Sequence, residues 1–166
     1  MSERSKRIAY YALCIALAFV LSYLESLIPI NIGVPGIKLG LANLVVVTAL
    51  YTMKPRDAFI ISMVRILLSG LTFGGAFSLV YSFAGGILSF AVMLLAKKSS
   101  CLSAAGVSVL GGSVHNIGQL AAAAIVMENA GVFYYLPVLL LSGALTGALT
   151  GLISQAVISR VEKIKG

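Results

Sequence analysis

The sequence has little acid. Five carboxylates, Glu3, Glu25, Asp57, Glu128 and Glu162, stand among 166 residues, and charged side chains of both signs make up only 10%. A soluble domain carries roughly a quarter charged residues, so this chain cannot cover a water-facing surface of ordinary density. Asp57 is the single aspartate, and no cluster of paired carboxylates exists to hold magnesium. There is no Walker A run, which excludes ATP binding of that kind. No serine or cysteine stands with a matched base. The single histidine, His115, has no nearby cysteine or acid and cannot fill a metal shell alone. Cys14 and Cys101 lack metal-ligand spacing. Both fall toward the basic ends of apolar runs, on the side where a disulfide is disfavoured, and they read as small packing residues. No cofactor is expected.

What is abundant is apolar. Hydrophobic residues make up 60% of the chain and the mean hydropathy is +1.05. Ten of the twelve basic residues fall in four short clusters, Arg4/Lys6/Arg7, Lys54/Arg56, Lys97/Lys98 and Arg160/Lys163/Lys165. Between the clusters lie stretches long enough to cross a bilayer once or twice. Cytoplasmic loops retain Lys and Arg, so the clusters mark one side of a membrane. They also explain the net charge of +7 as topology and contact with anionic headgroups, not as a nucleic-acid surface. A span needs about 20 residues. Six spans with short loops use nearly the whole length, giving a single all-α transmembrane domain over residues 1–166.

The segments follow from this pattern. Helix 1 is expected from Ile8 to Ile28, too long for a signal-peptide core, and ends at Pro29. A Gly- and Pro-rich loop, 29–38, leads to helix 2 at Leu39–Met53. The turn Lys54-Pro55-Arg56-Asp57 opens helix 3, with Pro55 suited to a first helical turn and Asp57 to its N-terminus. Helix 3 reaches Leu71, and residues 72–75 make a break. Helix 4 covers Ala76–Ala96, helix 5 Leu102–Met127 and helix 6 Pro137–Val161. Tyr134 and Tyr135 in the preceding loop suit a membrane interface. With the clusters inside, both termini are cytoplasmic, the localisation is a multi-pass cell-membrane protein, and loops 29–38, 72–75 and 128–136 face outward.

Two basic residues do not fit the clusters. Arg65 lies inside helix 3, where an arginine is costly and normally faces the protein interior or an aqueous cavity. It either anchors an anionic group through its bidentate fork or pairs with Glu25 at a comparable depth on helix 1; the two roles are compatible. Lys38 closes the first outer loop, where a helix N-terminus would reinforce its attraction for an anion. Asn43 follows as either a ligand-binding amide or interhelical glue. In helix 5, His115, Asn116 and Gln119 form a polar cluster, with His115 and Gln119 on one face. These six residues are the expected contacts of a small ligand. Ala12-x-x-x-Ala16 on helix 1 and Gly143-x-x-x-Gly147-x-x-x-Gly151 on helix 6 are small-residue stripes, each suited either to packing within the bundle or to a partner subunit.

Three segments carry a family resemblance: AYYALCIALAFVLSYLES, PGIKLGLANLVVVTALY and GGSVHNIGQL. They resemble proteins known as heptaprenyl diphosphate synthase component I or Gx transporters, which are similar to the substrate-binding S-components of energy-coupling factor (ECF) importers. The resemblance implies six helices and a substrate site near the outer face, capped by the first loop. It implies that Ala12 and Ala16 face a transmembrane coupling subunit, with ATP-binding subunits supplying energy. The alternative is a membrane subunit handling an isoprenoid or prenyl diphosphate in quinone-related metabolism. Prenyl elongation needs aspartate-rich motifs that this chain lacks, so it is not expected to be an enzyme.

Overall fold

A computed structural model describes residues 2–27 and 40–165. Among these residues the chain is all-helical. Its elements are α1 (Glu3–Leu27), α2 (Asn43–Thr52), α3 (Pro55–Ser69), a π-helical turn (Gly70–Gly74), α4 (Gly75–Ser99), α5 (Ala104–Val126), a 3-10 helix (Ala130–Tyr135) and α6 (Leu136–Lys165).

The helix ends follow local chemistry. Pro55 occupies the first turn of α3, with Asp57 beside it, where a missing N–H costs nothing and a carboxylate meets the positive end of the dipole. Lys97 and Lys98 close α4 at its negative end. The Ser103 hydroxyl caps α5 by accepting from the Gly106 N–H at 3.3 Å. Asn129 Oδ1 accepts from the Gly131 N–H at 2.8 Å and starts the 3-10 helix.

Several boundaries differ from the sequence reading. Helix α1 begins at Glu3, not Ile8, and α6 runs to Lys165, not Val161. Two further differences have local causes. Helix 2 begins at Asn43, not Leu39. Gly40 has φ +70°, a left-handed conformation that glycine adopts freely, and a turn bonds the Asn43 N–H to the Gly40 carbonyl at 2.9 Å. The expected break at 72–75 narrows to Gly75. The chain stays helical through the π turn, and Gly75, at φ 73° and ψ 169°, separates it from α4.

The shortest α-helix sits at the centre. In α2, Val45, Val46, Val47, Ala49 and Leu50 are all buried. Val46, Val47, Ala49 and Leu50 pack with Ala58 and Ile61 of α3, Phe90 and Met93 of α4, and Val107 of α5. A helix apolar on every side belongs inside a bundle.

The seam between α5 and α6 is closed by glycine. A Cβ on Gly112 would lie 2.3 Å from the Gly143 carbonyl oxygen, one on Gly147 2.7 Å from the Ser108 carbonyl oxygen, and one on Gly151 2.8 Å from Ala105 Cα. The helix 6 stripe therefore packs inside the bundle. Ser108 and Thr150 share a hydrogen bond at 3.2 Å across the seam, and Ser154 donates to the Leu44 carbonyl of α2 at 3.1 Å. Helix α4 meets α5 at a second glycine crossing, where a Cβ on Gly118 would lie 2.7 Å from Gly85 Cα.

Helix α1 lies at the edge, mainly against α2 and α3. At its basic end Arg7 Nη2 donates to Asp57 Oδ2 of α3 at 2.9 Å, and Arg7 Nε donates to the Tyr11 hydroxyl.

Among the described residues, four helical stretches are long and apolar enough to cross a membrane: Arg7–Leu27, Pro55–Ser99, Ala104–Val126 and Ala130–Lys163. The second contains α3, the π turn and α4. Its outward-facing Leu67, Leu71 and Phe77, like Leu141, Leu145 and Leu152 on α6, are exposed, as lipid contact requires. The chain is a membrane-embedded helical protein. Helix α2 spans only ten residues, about 15 Å at the usual helical rise, or roughly half of a hydrocarbon core.

Candidate functional site

Polar side chains converge where α1, α3, α4 and α5 face one another. A cavity of about 220 Å³ is lined by Ser22, Glu25 and Ser26 of α1, Arg65, Ile66 and Ser69 of α3, Gly70, Phe73 and Gly74 of the π turn, Ser78 and Ser82 of α4, and His115 of α5. A small annex of about 50 Å³ shares Glu25, Arg65 and His115 and adds Gly40, Asn43, Gly112, Asn116, Gly143 and Thr146. The π turn widens the helix between Arg65 and the glycine break, and such turns recur at functional sites.

Arg65 is the central group. Its Nε is shielded from solvent and has no hydrogen-bond partner among the described residues. Its Nη1 reaches the Ser22 hydroxyl at 3.5 Å. The Ser69 hydroxyl, one turn along the same helix and lining the same cavity, is also buried without a partner among the described residues. Glu25 is buried, acts electrostatically on the Arg65 guanidinium, and accepts a hydrogen bond from the Gly40 N–H. A guanidinium removed from water loses several kcal/mol of hydration unless charges and acceptors replace it. Here the carboxylate and Ser22 supply part of that replacement, while one donor of the fork and one hydroxyl remain for something in the cavity.

The six expected ligand contacts separate into groups. Arg65 and His115 line both polar spaces. Asn43 and Asn116 line only the annex. Asn116 is buried, and its Nδ2 donates to the Leu139 carbonyl of α6 at 2.7 Å, which makes it a fastening of the α5–α6 seam as well. Gln119 faces a different cavity, apolar and about 680 Å³, between α4, α5, the 3-10 helix and α6. Gln119 and His115 do share a face, since both approach Gly85. Lys38 and the loop 29–38 lie outside the described residues.

Sequence reasoning missed the serines. Ser22, Ser26, Ser69, Ser78 and Ser82 all line the main cavity. The available signal was their i, i+4 recurrence inside apolar helices, in the pairs 22/26 and 78/82, which puts each pair on one face. Of the two expected partner-facing residues, Ala12 and Ala16 are both exposed on α1.

Long apolar helices with a charged, hydroxyl-rich cavity among them define a membrane-embedded helical protein. Residues 14–157 match the family described as heptaprenyl diphosphate synthase component I, and the chain belongs to that family. Comparison with curated proteins and with solved structures gives no match.

Proposed function

We propose that this chain is a non-catalytic, substrate-binding membrane subunit, like the S-component of an ECF importer, and that it holds a small anionic ligand at Arg65. The observation that carries this reading is the Arg65 fork itself. Its Nε, with the Ser69 hydroxyl one turn away, is buried and unpartnered among the described residues, beside a cavity of about 220 Å³. A carboxylate or phosphate oxygen satisfies both groups. His115 contributes a second polar wall, Asn43 and Asn116 border the annex, and Lys38 adds positive charge from the first outer loop.

In this reading the chain crosses the cell membrane six times, with α2 buried among the other helices and both termini on the cytoplasmic face with the basic clusters. The exposed Ala12 and Ala16 meet a transmembrane coupling subunit that couples transport to ATP-binding subunits. The family description favours a second reading, a membrane subunit that delivers or receives an isoprenoid. Catalysis of prenyl elongation is not part of it, because the one aspartate, Asp57, pairs with Arg7 at the far end of the helix from the cavity.

The test is native mass spectrometry of the gently purified protein, with release and identification of any bound small molecule, repeated for Arg65→Gln. Hydrogen bonds to a charged group contribute about 1.5–3 kcal/mol, so occupancy should fall by about tenfold to a hundredfold. Equal occupancy in both proteins removes Arg65 as the anchor. A prenyl diphosphate among the released molecules puts the isoprenoid reading first.

A further inference from the structure

The 680 Å³ apolar cavity is not a separate feature. Helices α4 and α5 touch at Gly85 and Gly118, where the backbones are too close for a side chain. Beyond that crossing, the large cavity occupies the space between Ser78 and Tyr81 of α4 and Gln119 and Ala123 of α5. The polar cavity lies against the same stretch of α4, at Ser78 and Ser82, and against His115, one turn before Gln119 on α5. Ser78 is a wall of both.

The two spaces differ in chemistry. The polar one is small and holds Arg65, Glu25 and five serines. The other has about three times its volume and is walled largely by Leu120, Ala123, Val132, Leu139 and the rings of Tyr81 and Tyr135. Pockets for drug-sized ligands run from about 300 to 1,000 Å³ and are mostly apolar, with a few placed polar groups. The apolar cavity falls within that range and the polar one below it. Among the described residues of the polar cavity, the Arg65 guanidinium shares the space with the Glu25 carboxylate. That balance suits a singly charged head better than a multiply charged one.

We infer that the two cavities are one bipartite site for an amphipathic monoanion, whose acid head sits at Arg65 and Ser69 and whose apolar body passes Ser78 into the space beside Ala123. This inference rests on the Arg65 reading above and names the class of ligand. Two sources supply such chemistry: a soluble metabolite with an acid head, and an anionic lipid of the bilayer.

The experiment measures equilibrium binding of radiolabelled octanoate to the full chain in nanodiscs of zwitterionic lipid, with empty nanodiscs subtracted and acetate and octanol as competitors. Octanoate is expected to bind saturably. Burial of an apolar chain adds affinity with each methylene, and the carboxylate adds charge-assisted hydrogen bonds, so acetate, which lacks the chain, and octanol, which lacks the acid head, should displace it only at concentrations at least about tenfold higher. Ala123→Phe fills the apolar space and should reduce octanoate to the affinity of acetate, while acetate binding, read by NMR, is unchanged. Ala123→Leu, a smaller insertion, should move affinity in the same direction if the larger one impairs folding. Displacement by acetate as effective as by octanoate overturns the bipartite site and leaves the Arg65 anchor standing. Displacement by octanol as effective as by octanoate overturns it as well, leaving a lipid groove unconnected to Arg65. Absence of saturable octanoate binding overturns it too; acetate binding that depends on Arg65 then preserves the anion reading, and its absence removes both. Loss of octanoate binding when phosphatidylglycerol replaces the zwitterionic lipid supports the inference with a lipid as occupant. Retention of binding supports it with a soluble one.

Discussion

Helix α1 and the α5–α6 seam carry the same kind of sequence signal in opposite settings. Each has small residues four apart. On α6, Gly143, Gly147 and Gly151 are buried against the backbone of α5. On α1, Ala12 and Ala16 are exposed, flanked by the exposed Leu13, Leu17 and Val20. A small stripe in a membrane helix marks a place where another helix can come close, but the pattern does not say whether that helix belongs to the same chain. Glycine on α6 permits backbone contact. Alanine on α1 instead adds a methyl group at each position, and both stand exposed on the outside of the helix.

The sharpest way to break this comparison is to fill the α6 stripe. A side chain on Gly147 collides with the Ser108 carbonyl oxygen and Val109 Cα at 2.7 and 2.8 Å. These are backbone atoms and cannot turn aside. Overpacking of this kind costs roughly 1–3 kcal/mol and sometimes more. Gly147→Leu should fall at the upper end, about 3 kcal/mol, in SDS-titrated unfolding in mixed micelles. An unchanged midpoint would mean that α5 and α6 are not held at glycine distance.

Asn116 tests the same seam with a smaller change. Its amide bonds to the Leu139 carbonyl at 2.7 Å, and side-chain hydrogen bonds between membrane helices contribute about 0.6 kcal/mol on average and about 1.7 at most. Asn116→Ala should therefore lower stability by about 1 kcal/mol. If fastening the seam is its main task, ligand occupancy by native mass spectrometry stays within about twofold, a difference of under 0.5 kcal/mol. A loss of binding much larger than the loss of stability would move Asn116 from the seam to the ligand.

Much of this fold was legible, for identifiable reasons. The basic clusters and the Lys54–Asp57 turn set the ends of α3, α4 and α5 to within about three residues, because charge and proline act locally. Arg65 and Glu25 stood out because ionisable groups are rare in apolar runs, and the structure brings them to one cavity. The central place of α2 was hidden, since a ten-residue helix apolar on every side carries no directional pattern. The serines were hidden because serine is compatible with a membrane helix on any face. The division of His115 and Gln119 between two cavities was hidden because the cavity walls come from residues far apart in sequence, which no local spacing encodes. The same is true of the two stripes. Only the packed bundle shows which one is already occupied.

The smallest expected effect on stability is the most informative about α1. Ala12→Leu and Ala16→Leu place their added atoms outside the bundle, where substitutions usually change stability by under about 0.5 kcal/mol. The edge position of α1 remains held by Arg7 and Asp57 at 2.9 Å, and the Arg65 cavity meets α1 further along, at Ser22, Glu25 and Ser26. Unfolding midpoint and ligand occupancy should therefore stay as they are. Co-purification of a coupling subunit, and uptake by cells expressing the whole assembly, should fall sharply if the exposed stripe receives that partner. The result separates two meanings of an exposed small stripe. A variant that folds, binds its ligand and no longer transports identifies α1 as a docking surface. A variant that transports normally makes Ala12 and Ala16 ordinary lipid-facing residues, and it leaves the buried glycines of α6 as the small-residue stripe whose helix-packing role the bundle itself accounts for.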